Sequence, residues 1–238
     1  MLTQAYESYT PEHFQVWDIL YRRQLEFLRG RVYARYYDDL EQLGFSAAEI
    51  PRFSTMSARL TEVAGWRLQE VEDFLPPAEY LSLTAQRTLP ATTFLRTMKD
   101  LDHCKRPDMF HDVFGHTALL VNPRYRAYLE ALSRLALEHI DDEQWVYQIA
   151  NFNKWVTEFG LIAEDGVIKA YGAGLLSSSG ELDWALGDGP QRLPADVRTM
   201  VGSPHQRAEF QAQYFVIDSF DWLATCVEQL RDVLPRPN

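Results

Sequence analysis

The chain has 238 residues, of which 46% are hydrophobic and 13% aromatic, which excludes a disordered chain and leaves room for a sizeable core. The net charge of −11, without any cluster of Lys and Arg, argues against nucleic acid or an anionic membrane as a partner. Cys104 and Cys226 are too few for a disulfide framework, and no apolar run reaches the roughly 18 residues of a membrane span. The N-terminus lacks the basic and apolar regions of a signal peptide, so we expect a cytoplasmic protein.

In the first half of the chain, apolar residues at helical spacing predict helices, and prolines mark the segments between them. Thr10-Pro11-Glu12 is typical of a helix start, because a capping hydroxyl precedes a proline at the first helical position. The apolar pattern continues past a break near Gly30. The predicted elements are a helix from 11 to about 36, a connector at 47–53, a helix at 55–70, a packed loop at 74–80, a short helix at 80–86 and an extended segment at 89–96.

The second half predicts two long helices followed by short strands. Gly160 ends the second helix, and Glu164-Asp165-Gly166 has the composition of a hairpin turn. The small residues of 172–180 indicate either a close approach of the backbone to another group or a plain connector. The predicted elements are helices at 124–140 and 143–159, a strand at 167–171, a loop at 187–194, a strand at 214–217 and a helix from 219 to about 234.

Two histidines five residues apart, His111 and His116, lie in the segment Pro-Asp-Met-Phe-His-Asp-Val-Phe-Gly-His at 107–116. Neutral imidazole is the commonest side-chain metal ligand. In a regular α-helix, residues five apart diverge by roughly 140°, so both rings can reach one ion only if the helix ends between them. Gly115 is suited to end it. The segment therefore predicts a metal site at a helix end, with two ordinary half-buried histidines as the alternative.

A third ligand is needed, and spacing alone does not select it. Two histidines and a carboxylate suit non-haem Fe(II), whereas three protein ligands and a water also suit catalytic zinc. Glu158 lies roughly 130° from the apolar stripe of its helix, which by itself is typical of a solvated acid. The zinc-hydrolase signatures HExxH and HxxEH are absent, but a zinc hydrolase or a metal-stabilised binding module remains an alternative. The candidate carboxylates are Asp108, Asp112, Glu138, Asp141, Asp142, Glu143, Glu158, Glu164 and Glu181.

Three segments, in this order and spacing, resemble the tetrahydropterin-dependent aromatic amino acid hydroxylases. They are the histidine segment at 107–116, Glu-Phe-Gly-Leu at 158–161, and Ile-Lys-Ala-Tyr-Gly-Ala-Gly-Leu-Leu-Ser-Ser-Ser-Gly-Glu-Leu at 168–182. In layout the chain resembles the compact bacterial phenylalanine hydroxylases of that family. The resemblance implies a mainly α, single basket-like catalytic domain over 1–238 with small β hairpins, without a regulatory or tetramerisation domain. It also implies a monomer or weak dimer.

The resemblance further implies a monooxygenase that uses Fe(II), a tetrahydropterin and O₂ to hydroxylate the ring of an aromatic amino acid. L-phenylalanine to tyrosine is the first expectation; the alternative is the same chemistry at ring position 3, or on tryptophan or tyrosine. Iron would be held by His111, His116 and Glu158. Arg96 would bind the substrate carboxylate, steadied by Asp108. The other implied contacts are Leu75, Tyr80, Asp112 and Ala150 for the pterin, and Pro107, Lys154, Phe159, Gly174 and Ser177 for the substrate.

The chain departs from the family pattern around the implied substrate pocket. Lys154 replaces the tryptophan that packs on the substrate ring, and its neighbour Asn153 replaces another aromatic residue. Arg106 stands where a glutamate is usual, and Cys104 stands where the animal enzymes carry a threonine. Tyr80 stands where the pterin-stacking residue is usually phenylalanine. These departures leave the three implied metal ligands in place.

Overall fold

The computed structural model describes residues 3–102, 104, 106–206 and 209–235. These residues are mainly helical, as expected from the sequence. Short 3₁₀ turns lie at Tyr6–Ser8, Met98–Asp100, Ala118–Val121 and Phe220–Ala224, and a π-helical turn spans Phe110–Gly115. The α-helices are α1 Pro11–Phe27, α2 Tyr36–Gln42, α3 Phe53–Ala64, α4 Pro77–Thr84, α5 Pro123–Leu137, α6 Glu143–Thr157, α7 Ala173–Ser177, α8 Ser179–Leu186, α9 Val197–Gly202 and α10 Cys226–Val233.

The strands form a two-stranded and a four-stranded sheet. They are β1 Arg67–Val71, β2 Thr88–Thr92, β3 Leu161–Glu164, β4 Val167–Ala170, β5 Gln191–Pro194 and β6 Gln213–Ile217. β1 and β2 are parallel, and the larger sheet has the order β4-β3-β6-β5. β3 and β4 form the predicted hairpin, whose turn residues Asp165 and Gly166 have φ of 53° and 77°. The expectation of small hairpins is confirmed for the antiparallel β3–β4 pair. The β3–β6 and β5–β6 pairs are parallel and therefore are not hairpins.

Several local boundaries differ from the predictions, each for an identifiable reason. The helix predicted at 55–70 ends at Ala64, because Gly65 adopts the left-handed conformation, with φ of 70°. The residues that follow pair with β2 as a strand. α4 begins at Pro77. Proline suits the first turn of a helix, because the N–H that it lacks would have no partner within the helix there. The predicted loop at 187–194 contains β5, which tertiary pairing with β6 creates.

Two helices position the site from one side. Asn122 caps α5, because its side chain accepts hydrogen bonds from the first free amides of the helix, and Asp142 caps α6 in the same way. Buried apolar residues such as Leu132 and Ile149 lie in the core that these helices share. The carboxyl end of α6 delivers Glu158 to the interior. No described helix has the length and apolar character needed to span a membrane.

The opposite side is held by aromatic packing beneath the π-helical turn. The rings of Phe110 and Phe114 stack with centroids 4.6 Å apart, and both side chains are fully buried. Trp17 of α1 packs edge-on against Phe110 at 5.6 Å, and Tyr21 packs against Phe114 at 5.7 Å. This packing anchors the apolar face of the turn that contains His111 and is followed by His116.

Candidate metal centre

His111 and His116 converge because the helix between them widens. The helical turn ends at Gly115, as predicted, but it is π-helical from Phe110 to Gly115, and His116 after it stays in the right-handed helical region. Hydrogen bonding from i to i+5 brings residues five apart onto one face. The Nε2 atoms of the two histidines lie 3.3 Å apart. Gly115 also serves a second purpose, since a Cβ there would lie 2.9 Å from the carbonyl oxygen of Ala173.

Glu158 supplies the third donor. Its Oε1 lies 3.2 Å from Nε2 of His116, and its Oε2 lies 3.4 Å from Nε2 of His111. The three donor atoms lie within 4.8 Å of one another, so they could hold a single ion. Two imidazoles and one carboxylate are the donor set that suits non-haem Fe(II) and leaves positions open for other ligands. Of the nine candidate carboxylates, tertiary structure brings Glu158 to this position.

The electrostatics of the three groups are strongly coupled. Burial alone would raise the pKa of Glu158, but the imidazoles of His116 and His111 outweigh it and hold the pKa at about 2. Burial would lower the pKa of His116, but the Glu158 carboxylate outweighs it and raises the pKa above its usual value. The carboxylate is therefore ionised at neutral pH, which is the state that binds a metal.

Ser177, at the end of α7, orients His111. Its hydroxyl donates to the carbonyl oxygen of Ala173 at 2.8 Å, and its oxygen lies 2.8 Å from Nδ1 of His111. Because the single hydroxyl hydrogen is already used, the oxygen must accept from Nδ1–H. That places the proton on Nδ1 and leaves the lone pair of Nε2 directed at the metal position. The resemblance implied a substrate-side role for Ser177, whereas in the structure its hydroxyl contacts His111, a candidate metal ligand.

Arg96 and Asp108 form the buried ion pair that the resemblance implied. Nε and Nη2 of Arg96 each donate to Asp108 at 2.8 Å, and the Arg96 amide donates to the same carboxylate at 3.0 Å. The Asp108 side chain is 0% exposed and that of Arg96 is 9% exposed. Asp108 also accepts from the His111 amide at 3.2 Å, which connects the ion pair to the π-helical turn.

A cavity of about 590 Å³, its open mouth included, lies beside the three donors. Three of the four residues implied for the pterin line it, namely Leu75, Tyr80 and Asp112; Ala150 is half-buried on α6 and is not among its lining residues. The carboxylate of Asp112 accepts from the amide of Thr92 at 2.7 Å, and from its hydroxyl at 2.8 Å, which ties the π-helical turn to β2. The remaining lining residues are Val71, Asp73, Phe74, Leu89, Pro90, Thr92, Pro107, His111, His116 and Glu158.

Three further residues implied for the substrate, Lys154, Phe159 and Gly174, have different surroundings in the structure. Lys154 is exposed and does not line the cavity; its Nζ lies 5.4 Å from the ring centroid of Phe74 at the cavity mouth. This differs from the expected ring-packing position, because the flexible ammonium side chain extends into solvent. Phe159 packs against Trp155 at 5.8 Å, and a Cβ on Gly174 would lie 3.0 Å from the carbonyl oxygen of Glu158.

Sequence reasoning missed the wall that β1 and β2 contribute to the cavity. Gly65 was the available signal, because a glycine after an apolar helical stripe often ends the helix. It also missed His205, whose ring stacks on Trp155 at 4.1 Å and whose Nδ1 lies 2.9 Å from Oδ1 of Asn151. Burial, and then the positive charge of Lys154, lower the pKa of His205 to about 4, so this ring is neutral. No local pattern marked His205, since its neighbours come from a distant helix.

The donor set of two imidazoles and one carboxylate is that of the mononuclear non-haem iron enzymes. A family model described as biopterin-dependent aromatic amino acid hydroxylase matches residues 5–238. The chain belongs to this family, and it is an iron- and biopterin-dependent aromatic amino acid monooxygenase.

Particular relatives agree with this assignment. The phenylalanine-4-hydroxylase of Chromobacterium violaceum is 34% identical over 223 residues, which cover 93% of this chain and 75% of the relative. That of Pseudomonas aeruginosa is 33% identical and covers 88% of this chain and 79% of the relative. The C. violaceum enzyme solved with iron(III) and 7,8-dihydrobiopterin has a TM-score of 0.89 at 33% identity, over 98% of this chain and 87% of that one.

Proposed function

We propose that this enzyme hydroxylates L-phenylalanine at ring position 4 to give L-tyrosine. The proposal is supported chiefly by the convergence of His111, His116 and Glu158 beside an open cavity. Two relatives that match this chain over most of their length are named phenylalanine-4-hydroxylase, which supports the choice of substrate and ring position. Fe(II) would be held by these three side chains, and with the reduced pterin it would supply the activation of O₂.

The amino acid would be bound through its carboxylate by Arg96. A guanidinium carries five N–H groups, of which Nε and one from Nη2 donate to Asp108. One N–H of Nη1 donates to the carbonyl oxygen of Leu101 at 3.4 Å. The two remaining N–H groups suit a second carboxylate, and a planar fork recognises carboxylate geometry. Asp108 fixes the plane of the guanidinium and, through the His111 amide, its distance from the metal position.

The substrate ring would lie between the carboxyl end of α6 and the segment that carries Pro107. Phe159 and Pro107 supply apolar walls, while Gly174 permits the close approach of α7 to Glu158. Lys154 would act at the rim and not on the ring face, since its side chain is exposed. Apolar walls of this kind exclude water from the reacting centre.

The pterin would occupy the cavity lined by Leu75, Tyr80 and Asp112, with Ala150 on the α6 side. Asp112 accepts two hydrogen bonds from Thr92 and would keep both of them while it lines the floor of the cavity. In this proposal the pterin and the amino acid would lie on different sides of the three proposed metal ligands. The protein's task is to bind and orient both partners and to keep the site dry.

The decisive experiment identifies the product. The purified protein is reloaded with Fe(II) and supplied with tetrahydrobiopterin, O₂ and, in turn, phenylalanine, tyrosine and tryptophan. We expect 4-hydroxylated phenylalanine, identified by mass and by NMR of the ring. Hydroxylation at position 3, or preferential hydroxylation of another amino acid, would contradict the proposed substrate or ring position. No product from any of them, despite bound iron, would contradict the proposed function as a whole.

We also propose that residues 1–238 act as one catalytic domain, as a monomer or weak dimer in the cytoplasm. The single cluster of buried apolar residues that joins the described helices and sheets supports one domain. Two free cysteines are consistent with a reducing compartment. Light scattering over a range of protein concentrations tests the oligomeric state, and a stable tetramer would contradict it.

A further inference from the structure

His205 packs on the aromatic residues next to Glu158, although it contributes no donor to the candidate metal centre. Its ring stacks on Trp155, with the ring centroids 4.1 Å apart and an angle of 29° between the planes. It also lies beside the ring of Phe159, at 5.6 Å and 32°. Phe159 directly follows Glu158 and is half-buried, so part of its ring surface is free to contact a substrate. His205 is therefore placed to fix the orientation of this wall.

The main chain before His205 is held against α6 by buried hydrogen bonds. The carbonyl oxygen of Ser203 accepts from Nδ2 of Asn151 at 3.0 Å and from Nε1 of Trp155 at 3.0 Å. Nδ2 of Asn151 also donates to the carbonyl oxygen of Val201 at 3.3 Å. Asn151 is 9% exposed and Trp155 is 1% exposed. Because moving this segment away would leave buried polar groups without partners, its position relative to α6 is fixed.

The same asparagine fixes the rotation of the His205 ring. Since Nδ2 of Asn151 donates to backbone carbonyls, its Oδ1 is the acceptor for Nδ1 of His205, which lies 2.9 Å away. The ring is neutral, so its single N–H is on Nδ1. Nε2 is buried and has no hydrogen-bond partner among the described residues. One hydrogen bond and one stacking contact thus determine how the ring lies against Phe159.

We propose that His205 is a positioning residue for the hydroxylation, which holds the ring of Phe159 in the orientation that aligns the substrate ring with the metal position. The inference rests on the proposed function, in which Phe159 is a wall of the substrate pocket. Removal of the imidazole would leave a space into which the Phe159 ring can turn, and the substrate ring would be held less firmly. His205 is neither among the three metal donors nor among the residues that line the pterin cavity, so both should be unaffected.

The test compares steady-state hydroxylation of L-phenylalanine by the parent protein and by His205→Ala, both loaded with Fe(II) and saturated with tetrahydrobiopterin. We expect kcat/KM for phenylalanine to fall about 3- to 10-fold, mainly through KM, which corresponds to the loss of one aromatic contact. The yield of hydroxylated amino acid per pterin oxidised should also fall, because a loosely held ring is less often in position to react. Iron content and the Kd for 7,8-dihydrobiopterin should equal those of the parent.

Two further variants separate packing against Phe159 from a general loosening of the fold. His205→Phe keeps a ring that can stack on Trp155, so its KM and hydroxylation yield should be close to those of the parent. His139→Ala is the matched control, because His139 packs edge-on against Trp145 at 5.1 Å near the start of α6, away from the candidate metal centre. It should have the KM and the yield of the parent.

The outcomes distinguish this inference from the proposed function. Parent values of KM and yield in His205→Ala would overturn the inference and leave the proposed function intact. Equal losses in His205→Ala and His205→Phe would overturn it as well, since they would assign the effect to the imidazole nitrogens and not to packing. A reduced iron content in His205→Ala would assign the residue to the metal centre instead. Failure of the parent protein to hydroxylate phenylalanine at all would overturn both.

Discussion

At the scale of single residues, the proposed metal centre would depend on groups that are not themselves ligands. Ser177 selects the tautomer of His111, and Asp108 holds both Arg96 and the His111 amide. The two interactions restrict the position and the tautomer of the same imidazole. Since preorganised ligands lose less entropy on binding, these partners should contribute to metal affinity although neither is a ligand.

Substituting Ser177 by Ala should therefore weaken iron binding. The imidazole of His111 loses the acceptor that fixes its tautomer, and we expect a 10- to 100-fold loss of affinity. Competition with a chelating dye measures it. Ser178→Ala is a suitable control: it removes the hydroxyl that caps α8, so it should cost about 1 kcal/mol of stability and leave iron affinity unchanged. Equal iron affinities of Ser177→Ala and the parent would refute the role assigned to the hydroxyl.

Arg96→Lys should raise KM for the amino acid by 10-fold or more and change kcat less. A single ammonium cannot reproduce the two 2.8 Å bonds to Asp108 and still present a fork to the substrate. Steady-state kinetics at saturating pterin provides the measurement. Arg106→Lys serves as control because its ion pair with Asp73 is exposed on both sides and should contribute little. A kcat loss without a change in KM would place Arg96 elsewhere in the reaction.

The metal-free site should have a characteristic pH dependence. His116 has a raised pKa, so its contribution to stability is present below about pH 6.5 and is lost as pH rises through the folded pKa. Glu158 has a lowered pKa, so its contribution is present above about pH 4.3 and is lost as pH falls towards about 2. The melting temperature of the metal-free protein should consequently fall between pH 6 and 9 by more than that of His116→Ala.

Metal binding should show the opposite dependence on pH, because only the neutral imidazole binds a metal. The apparent affinity for Co(II) should rise with pH, and binding near pH 6.5 should release a proton. Calorimetry in two buffers of different ionisation enthalpy measures that release. Binding without proton release would mean that His116 is already neutral in the metal-free protein.

At the scale of elements, α7 lies unusually close to the end of α6. A Cβ on Gly172 would lie 2.4 Å from the carbonyl oxygen of Glu158 and 2.5 Å from the Gly160 amide nitrogen, and both are backbone atoms that cannot rotate away. α7 also carries Ser177, which contacts His111. The small residues of 172–180 thus allow one short helix to contact both chain segments that supply metal ligands.

Gly172→Ala should destabilise the protein by about 1 to 3 kcal/mol and lower its iron content, because α7 must move away from Glu158. Denaturant unfolding and metal analysis provide the two readouts. Gly202→Ala is the control: a Cβ there meets no atom within 4 Å, so stability should change by no more than about 0.5 kcal/mol. If Gly172→Ala had the stability and iron content of the parent, the close approach would not matter for the site.

At the scale of the whole molecule, the metal would join segments that are far apart in the chain. His111 lies in the π-helical turn, His116 directly follows it, and Glu158 follows α6, so the proposed site exists only after the core has formed. A ligand that binds the folded state alone stabilises it by about 2.7 kcal/mol when its free concentration is 100 times Kd.

Reloading the metal-free protein with Fe(II) or Co(II) should therefore raise its melting temperature by about 5 to 10 °C for a chain of this size. Scanning calorimetry before and after chelation gives the shift. His116→Ala should show little or no shift on metal addition, because one of the three donors is missing. An equal shift in that variant would indicate that the metal binds outside the proposed site.

The sequence by itself determined the features that depend on local chemistry. Helix starts at Thr10-Pro11 and the α5–α6 pair follow from capping residues and apolar spacing, and the β3–β4 turn follows from Asp165-Gly166. The order of the three segments that resemble the family was sufficient to name the iron and the pterin. It also predicted His111, His116 and Glu158 as the ligands, and the structure brings donor atoms of these three residues within 4.8 Å of one another.

Tertiary structure alone decided what depends on contacts between distant residues. Apolar spacing assigned Glu158 to solvent, because the spacing describes a single helix. It contains no information about the π-helical turn and α7, which lie against Glu158 in the folded chain. The same limit applies to β5, which exists through its pairing with β6. The five-residue spacing of the histidines indicated a broken helix, whereas packing beneath the turn stabilises a π-helix that keeps the chain helical through Gly115. The sequence shows which face of each helix or strand is apolar. Which other element packs against that face is decided only when the chain folds around one core.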